Sequence, residues 1–68
     1  MPNVADNIRY RREKMGITQD DLAQMCNCSR MMIWKVEQNR TPPSLALSVD
    51  LARVFECTVD DLIKEAQQ

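Results

Sequence analysis

The most reactive side chains in this 68-residue sequence are three cysteines, Cys26, Cys28 and Cys57. Their odd number, without a secretion signal, does not predict a disulfide framework. Three thiolates would bind zinc only with a fourth ligand, and because the sequence contains no histidine, Asp or Glu would have to supply it. We therefore expect the cysteines to pack as small apolar side chains. Redox or metal sensing is the alternative.

The sequence also argues against enzymatic chemistry. Without histidine, the usual base beside a serine or cysteine nucleophile is missing, as is the commonest metal ligand. We expect no catalytic residues, no metal, no cofactor and no small-molecule ligand. An enzyme is the least favoured class of function.

The charge balance is nine basic against ten acidic residues, a net charge of −1, which by itself argues against a nucleic-acid binder. The charges are unevenly placed. Residues 1–40 carry seven basic and five acidic side chains, whereas residues 41–68 carry two basic and five acidic ones. A polyanion could therefore meet a positive face on a molecule with a negative net charge. The alternative is ordinary solvated helix faces.

Length and composition predict one globular domain over residues 1–68. Hydrophobic residues make up 44% of the chain and charged residues 28%, and a chain of this size buries about 60% of its unfolded surface. No apolar run approaches the roughly 20 residues of a membrane span, and the N-terminus lacks the pattern of a signal peptide. We expect a cytoplasmic protein without membrane contact.

Apolar periodicity and helix-start residues predict an all-α chain with helices at about residues 4–14, 18–25, 29–38, 44–55 and 58–66. The predicted N-caps are Thr18, Ser29, Ser44 and Thr58. Gly16 and two asparagines that tolerate positive φ, Asn27 and Asn39, are expected to end the first three helices.

The expected inward-facing residues of the first four helices are Val4, Ile8, Met15, Leu22, Ala23, Met25 or Cys26, Ile33, Val36, Leu45, Val49, Ala52 and Phe55. Leu51 is the alternative on a broad stripe of the fourth helix, and the fifth helix carries Leu62 and Ile63. In the third helix, Glu37 shares the inward face, and the residues pointing the other way are Arg30, Met31, Trp34 and Lys35. Two short helices joined by a four-residue turn, with Ala23 at their contact and Asn27 in the turn, predict a helix-turn-helix.

Five ordered blocks resemble the phage repressor and Cro family, the XRE-type regulators. They are residues 16–23 (Gly-Ile-Thr-Gln-Asp-Asp-Leu-Ala), 29–37, 43–47, 51–55 and 58–62. The resemblance runs from about residue 7 to residue 63. It implies a compact five-helix, lambda-repressor-like DNA-binding domain in which helices 2 and 3 form the helix-turn-helix.

In this family the third helix lies in the DNA major groove. The matching base-facing positions are Arg30, Met31 and Lys35, with Trp34 beside them. Arginine and lysine pair with guanine O6 and N7, whereas Met31 could offer an apolar contact to a thymine methyl group. Family members usually carry polar residues at positions 31 and 34. A protein-packing role for Trp34 is therefore the alternative.

The resemblance also implies phosphate contacts, at Gln19, Arg40, Thr41 and Arg9. It further implies a structural ion pair between Glu37 and Arg12, because a lone carboxylate on an inward face is costly to bury. Arg11 stands where the family usually has a large apolar residue, and we expect Tyr10 to pack in its place.

Together these features predict a sequence-specific DNA-binding transcriptional regulator. It would bind double-stranded DNA at a palindromic operator as a homodimer and act as a repressor. The alternative is a protein-interaction module, such as an anti-repressor or an antitoxin-like partner binder, that retains the fold without specific DNA binding. The apolar residues Met31, Met32 and Trp34 on the third helix favour that alternative.

Overall fold

The computed structural model describes residues 3–66, with side chains placed from residue 3 to residue 63. The helices are α1 (Val4–Met15), α2 (Gln19–Met25), α3 (Arg30–Glu37), α4 (Leu45–Val54) and α5 (Val59–Ala66). Between residues 3 and 66 there is no strand, so the predicted all-α fold class is confirmed. None of the helices in this range is long and apolar enough to cross a membrane.

Side-chain caps begin the helices at the predicted residues. The Thr18 hydroxyl accepts from the Asp21 N–H at 3.0 Å, and the Asp21 carboxylate accepts from the Thr18 N–H at 3.1 Å. Thr58 makes the same reciprocal exchange with the carboxylate three residues later. The hydroxyls of Ser29 and Ser44 each accept one such N–H. Because a cap lies outside the helix that it starts, α2 to α5 begin one residue after the predicted ranges.

The first four helices end at residues with left-handed backbone: Gly16 (φ 73°), Asn27 (φ 56°), Asn39 (φ 59°) and Glu56 (φ 55°). After α2, the Asn27 N–H donates to the Gln24 carbonyl at 3.2 Å and the Cys28 N–H donates to the Ala23 carbonyl at 2.9 Å. These two hydrogen bonds satisfy backbone carbonyls that would otherwise have no partner at the end of the helix. The predicted stops at Gly16, Asn27 and Asn39 are confirmed, whereas the left-handed Glu56 was not predicted.

One core receives side chains from all five helices, and its fully buried members are Ile8, Leu22, Ile33, Val36, Leu51 and Leu62. The prediction for α4 is partly wrong, because Leu45 and Val49 are 77% and 51% exposed. The buried side of α4 is formed by Leu47, Leu51 and Ala52. At about 100° per residue, Leu45 lies nearly opposite Leu47. Since α4 is apolar on both sides, its periodicity could not show which side packs inward.

The outer side of α1 also differs from the prediction. Tyr10 and Met15 are exposed rather than packed. The Arg11 Nε donates to Asn7 Oδ1 at 3.0 Å, and the buried Asn7 donates from Nδ2 to the Leu62 carbonyl at 2.8 Å. At this position, where the family usually has a large apolar residue, the buried Asn7 amide accepts the Arg11 guanidinium. Asn7 in turn joins α1 to α5.

None of the three cysteines forms a disulfide. Cys26 belongs to the core, and Cys28 and Cys57 pack against it, so the predicted packing role is confirmed. Burial raises the pKa of the Cys26 thiol to about 11 and also raises the pKa of Cys28. A protonated thiol is a poor nucleophile at neutral pH. Among the described residues, no group of three cysteine or acidic side chains is placed to hold a metal ion.

We predict that Glu56→Gly stabilises the fold by about 0.5–1 kcal/mol. Glycine removes the steric cost that a residue with Cβ bears in the left-handed conformation, and this gain exceeds the additional backbone entropy that glycine loses on folding. Glu56→Ala is the matched control, since it removes the same carboxylate and keeps Cβ. Urea unfolding should show a higher midpoint for the glycine variant alone. Equal midpoints for the two variants would contradict the prediction.

Candidate nucleic-acid interface

The turn between α2 and α3 sets the orientation of α3. Residues 26–29 form this turn, and the left-handed Asn27 reverses the chain within it. Ala23 is only 2% exposed, and its small side chain lets the two helices approach closely. Ile33 is fully buried on the inner side of α3. The opposite side of α3 therefore faces solvent.

That solvent-facing side carries the four residues predicted to face bases: Arg30, Met31, Trp34 and Lys35. Met31 is 59% exposed and Trp34 is 37% exposed. Within residues 3–63, neither Arg30 nor Lys35 forms an ion pair. We call these four residues the α3 outer face. It presents two uncommitted cations and two large apolar side chains.

Arg40 extends the α3 outer face into the following loop. Its guanidinium lies over the Trp34 ring, 5.2 Å from the ring centroid. Its backbone N–H donates to the Lys35 carbonyl at 2.9 Å as part of the α3 ending. Such stacking of a guanidinium on an indole is favourable. It connects a predicted phosphate-contacting residue to a predicted base-facing one, which the sequence did not indicate.

Beneath the α3 outer face, the predicted Arg12–Glu37 pair is confirmed. The Glu37 side chain is 1% exposed. Arg12 donates to it twice, from Nε at 2.8 Å and from Nη2 at 3.1 Å. The remaining Nη1 of Arg12 donates to the Ile17 carbonyl at 3.0 Å. The hydrogen bonds to Glu37 raise the pKa of Arg12 above its ordinary value, so the guanidinium stays charged.

Gln19 completes this buried cluster. Its Nε2 donates to Glu37 Oε1 at 3.1 Å. The amide is therefore held by α3 while the residue itself begins α2. Gln19 and Arg30 also line one open hollow of about 560 Å³, together with Asp20. The Asp20 carboxylate adds negative charge to this hollow, which disfavours a phosphate there.

Thr41 and Arg9 lie in different settings from the other predicted site residues. Thr41 is half-buried and lines two hollows along with Pro42 and Pro43. Arg9 pairs with Asp6 on its own helix at 2.9 Å, and both side chains are exposed. Of the other predicted residues, Arg40 lies over Trp34 and Arg30 lines a depression with it. Gln19 shares a hollow with Arg30.

This geometry agrees with comparisons to known proteins. The helix-turn-helix family model matches residues 8–62, and the chain belongs to this family. It is a DNA-binding transcriptional regulator of the phage repressor and Cro-like (XRE-type) group, as the resemblance implied.

Relatives and solved structures of similar length match most of the chain. An uncharacterized HTH-type transcriptional regulator of Archaeoglobus fulgidus is 40% identical over 55 residues, covering 81% of this chain and 79% of the relative. Another, from Methanocaldococcus jannaschii, is 32% identical over 87% of this chain and 89% of the relative. The crystal structure of the P22 c2 repressor in complex with a synthetic operator matches with 30% identity and a TM-score of 0.89, over 94% of this chain and 97% of that one. The restriction-modification controller protein C.AhdI of Aeromonas hydrophila shares the fold, with a TM-score of 0.83, 23% identity, and coverage of 88% of this chain and 91% of that one.

We predict that Arg12→Ala destabilises the fold by about 3–5 kcal/mol, because it leaves a buried carboxylate without its cation. Arg9→Ala is the matched control on the same helix, since its ion pair with Asp6 is exposed and should contribute at most about 1 kcal/mol. Urea unfolding measures both losses.

Adding Glu37→Gln to Arg12→Ala should recover part of the lost stability, because an amide carries no buried charge. Equal losses for Arg12→Ala and Arg9→Ala would show that the buried pair has no special energetic role.

Proposed function

We propose that this protein binds a palindromic operator as a homodimer, with α3 of each subunit in the major groove, and represses transcription by occupying the promoter. The observation that carries the proposal is the α3 outer face, where Arg30 and Lys35 have no internal partner among the described residues. The Glu37 cluster behind it holds α3 in a fixed orientation. A regulator of this kind would act on the chromosome, in the cytoplasm.

Each predicted site residue has a role in this proposal. Arg30 and Lys35 pair with guanine edges, while Met31 and Trp34 make apolar contacts to bases. The phosphate contacts come from Gln19, Arg40, Thr41 and Arg9. Arg9 would have to exchange Asp6 for a phosphate, and its contribution should be the smallest. Arg40 reaches the backbone from its position over Trp34. The P22 c2 repressor, which matches this fold, was crystallised with its operator.

The size of the molecule supports a dimer on DNA. Half-sites one helical turn apart place two subunits about 34 Å from centre to centre. One subunit spans 28 × 24 × 23 Å. Two copies on neighbouring half-sites would therefore lie about 10 Å apart or closer, the distance at which side chains of packed helices meet. Subunits held in this way would read a symmetric site.

A second function is favoured by one observation. Met31, Met32 and Trp34 are all more than a third exposed, and exposed tryptophan and methionine are enriched in protein interfaces. A protein-interaction module that retained the fold would use this same face. Ionic strength separates the two functions, because phosphate contacts release counterions.

The deciding experiment is a random-site selection followed by a salt titration. Trp34 is the only tryptophan in the chain, so its fluorescence reports binding at the α3 outer face. For a DNA regulator, the logarithm of the association constant should fall linearly with the logarithm of the salt concentration, with a slope of about −0.9 per phosphate neutralised. Failure to enrich any sequence at any salt concentration would refute the proposal.

We predict different effects for two cationic residues. Lys35→Ala should relax base preference at one position of each half-site, at a cost of about 1–3 kcal/mol for the preferred base. Arg40→Ala should weaken binding to all sequences about equally and make the salt slope shallower by about 1 per half-site. Binding isotherms on a panel of single-base operator variants measure both effects. A sequence-dependent effect of Arg40→Ala, or a uniform effect of Lys35→Ala, would contradict these roles.

A further inference from the structure

A shallow depression lies within the α3 outer face. Three residues line it, Arg30, Met31 and Trp34, and its volume is about 290 Å³. Its walls combine a thioether chain and an indole with one guanidinium. A recognition helix with only polar side chains would contact only the hydrogen-bonding groups of base edges. This depression also offers apolar contact.

The apolar walls of the depression limit what can occupy it in the major groove. Base edges there present hydrogen-bond donors and acceptors, and the one apolar group is the C5-methyl of thymine. Methylation of cytosine at C5 places a methyl group at the same ring position. Met31 is 59% exposed and Trp34 37% exposed in the free protein. Contact with a methyl group would remove apolar surface of both side chains from water.

The guanidinium in the wall indicates the neighbouring base. Arg30 forms no ion pair within residues 3–63, and a bidentate contact from arginine to guanine O6 and N7 is the commonest specific contact in DNA recognition. Because Arg30 and the two apolar residues line the same depression, they would reach a guanine and a methyl group that lie close together, as on adjacent base pairs.

The Trp34 wall is held in place before any ligand binds. The Arg40 guanidinium lies 5.2 Å from the centre of its ring, and the Arg40 N–H is bonded to the Lys35 carbonyl at 2.9 Å. The indole is therefore restrained by a residue outside the depression. A restrained wall loses less side-chain entropy when a base approaches.

We propose that this depression reads a 5-methylpyrimidine next to a guanine, so that DNA binding depends on the methyl group of thymine or of 5-methylcytosine. Arg30 contacts the guanine, and Met31 and Trp34 enclose the methyl group. This inference rests on the proposed function and adds the base chemistry that the α3 outer face selects. Cytosine methylation at such a step would strengthen binding.

The test starts from the operator enriched by random-site selection, which should contain a thymine–guanine or cytosine–guanine step in each half-site. Duplexes are then made in which the pyrimidine of that step is thymine, uracil, cytosine or 5-methylcytosine. Uracil differs from thymine, and cytosine from 5-methylcytosine, only by the methyl group. Each methyl group should tighten binding about fourfold, the effect of burying one apolar carbon. Tighter binding to the thymine duplex than to the uracil duplex would show recognition of the thymine methyl group. Tighter binding to the 5-methylcytosine duplex than to the cytosine duplex would show dependence on cytosine methylation.

Met31→Ala should abolish the difference between methylated and unmethylated duplexes and leave the salt slope unchanged. Met25→Ala is the matched control, because Met25 is a methionine of α2 with 46% exposure that does not line the depression. It should retain the fourfold preference. Circular dichroism establishes that both variants are folded before they are compared.

The outcomes distinguish this inference from the proposed function. If selection enriches no sequence, the proposed operator binding itself fails. If an operator is enriched but the methylated and unmethylated duplexes bind equally, or if Met31→Ala keeps the preference, the inference is overturned while the regulator proposal stands. An enriched operator without a pyrimidine–guanine step would also overturn it.

Discussion

Besides the turn between α2 and α3, a single buried carboxylate connects α3 to the two helices that precede it. Glu37 accepts hydrogen bonds from Arg12 of α1 and from Gln19 of α2, and Arg12 also donates to the Ile17 carbonyl between those helices. The Glu37 carboxylate therefore connects three helices and one loop. Because it is buried, it must keep these hydrogen bonds. An apolar replacement of a buried ion pair can be equally stable. We infer that this cluster serves to fix the geometry of α3.

The placement of the charges explains how so small a domain with a net charge of −1 can belong to a DNA-binding family. Internal carboxylates neutralise Arg12 and Arg9, whereas Arg30 and Lys35 have no such partner among the described residues. The α3 outer face, with Arg40 stacked on its Trp34, therefore presents positive charge that a polyanion could meet. Since the rest of the molecule is acidic on balance, non-specific affinity for DNA should be weak. Specific binding would then depend on the fit of the α3 outer face and on two subunits acting together.

Local signals in the sequence predicted the helices and the exposed side of α3, because caps such as Thr18 and turn residues such as Asn27 act within a few positions. The prediction that Leu45 and Val49 of α4 pack inward was wrong, because a helix that is apolar on both sides carries no periodic signal that distinguishes them. The Arg12–Glu37 pair came from family resemblance. The contacts of Gln19 with Glu37 and of Arg40 with Trp34 depend on tertiary structure, and no spacing in the sequence indicates them. The left-handed Glu56 was missed because glutamate has no preference for that conformation.

Residue-resolved NMR can establish whether DNA meets the protein on the α3 outer face. Backbone amide shifts of the ¹⁵N-labelled protein would be followed during titration with the selected operator duplex, with a scrambled duplex of equal length as reference. The largest operator-specific changes should fall on Arg30–Lys35, with smaller ones at Gln19 and Arg40. Largest changes on α4 or α5, with α3 unaffected, would contradict this placement of the DNA.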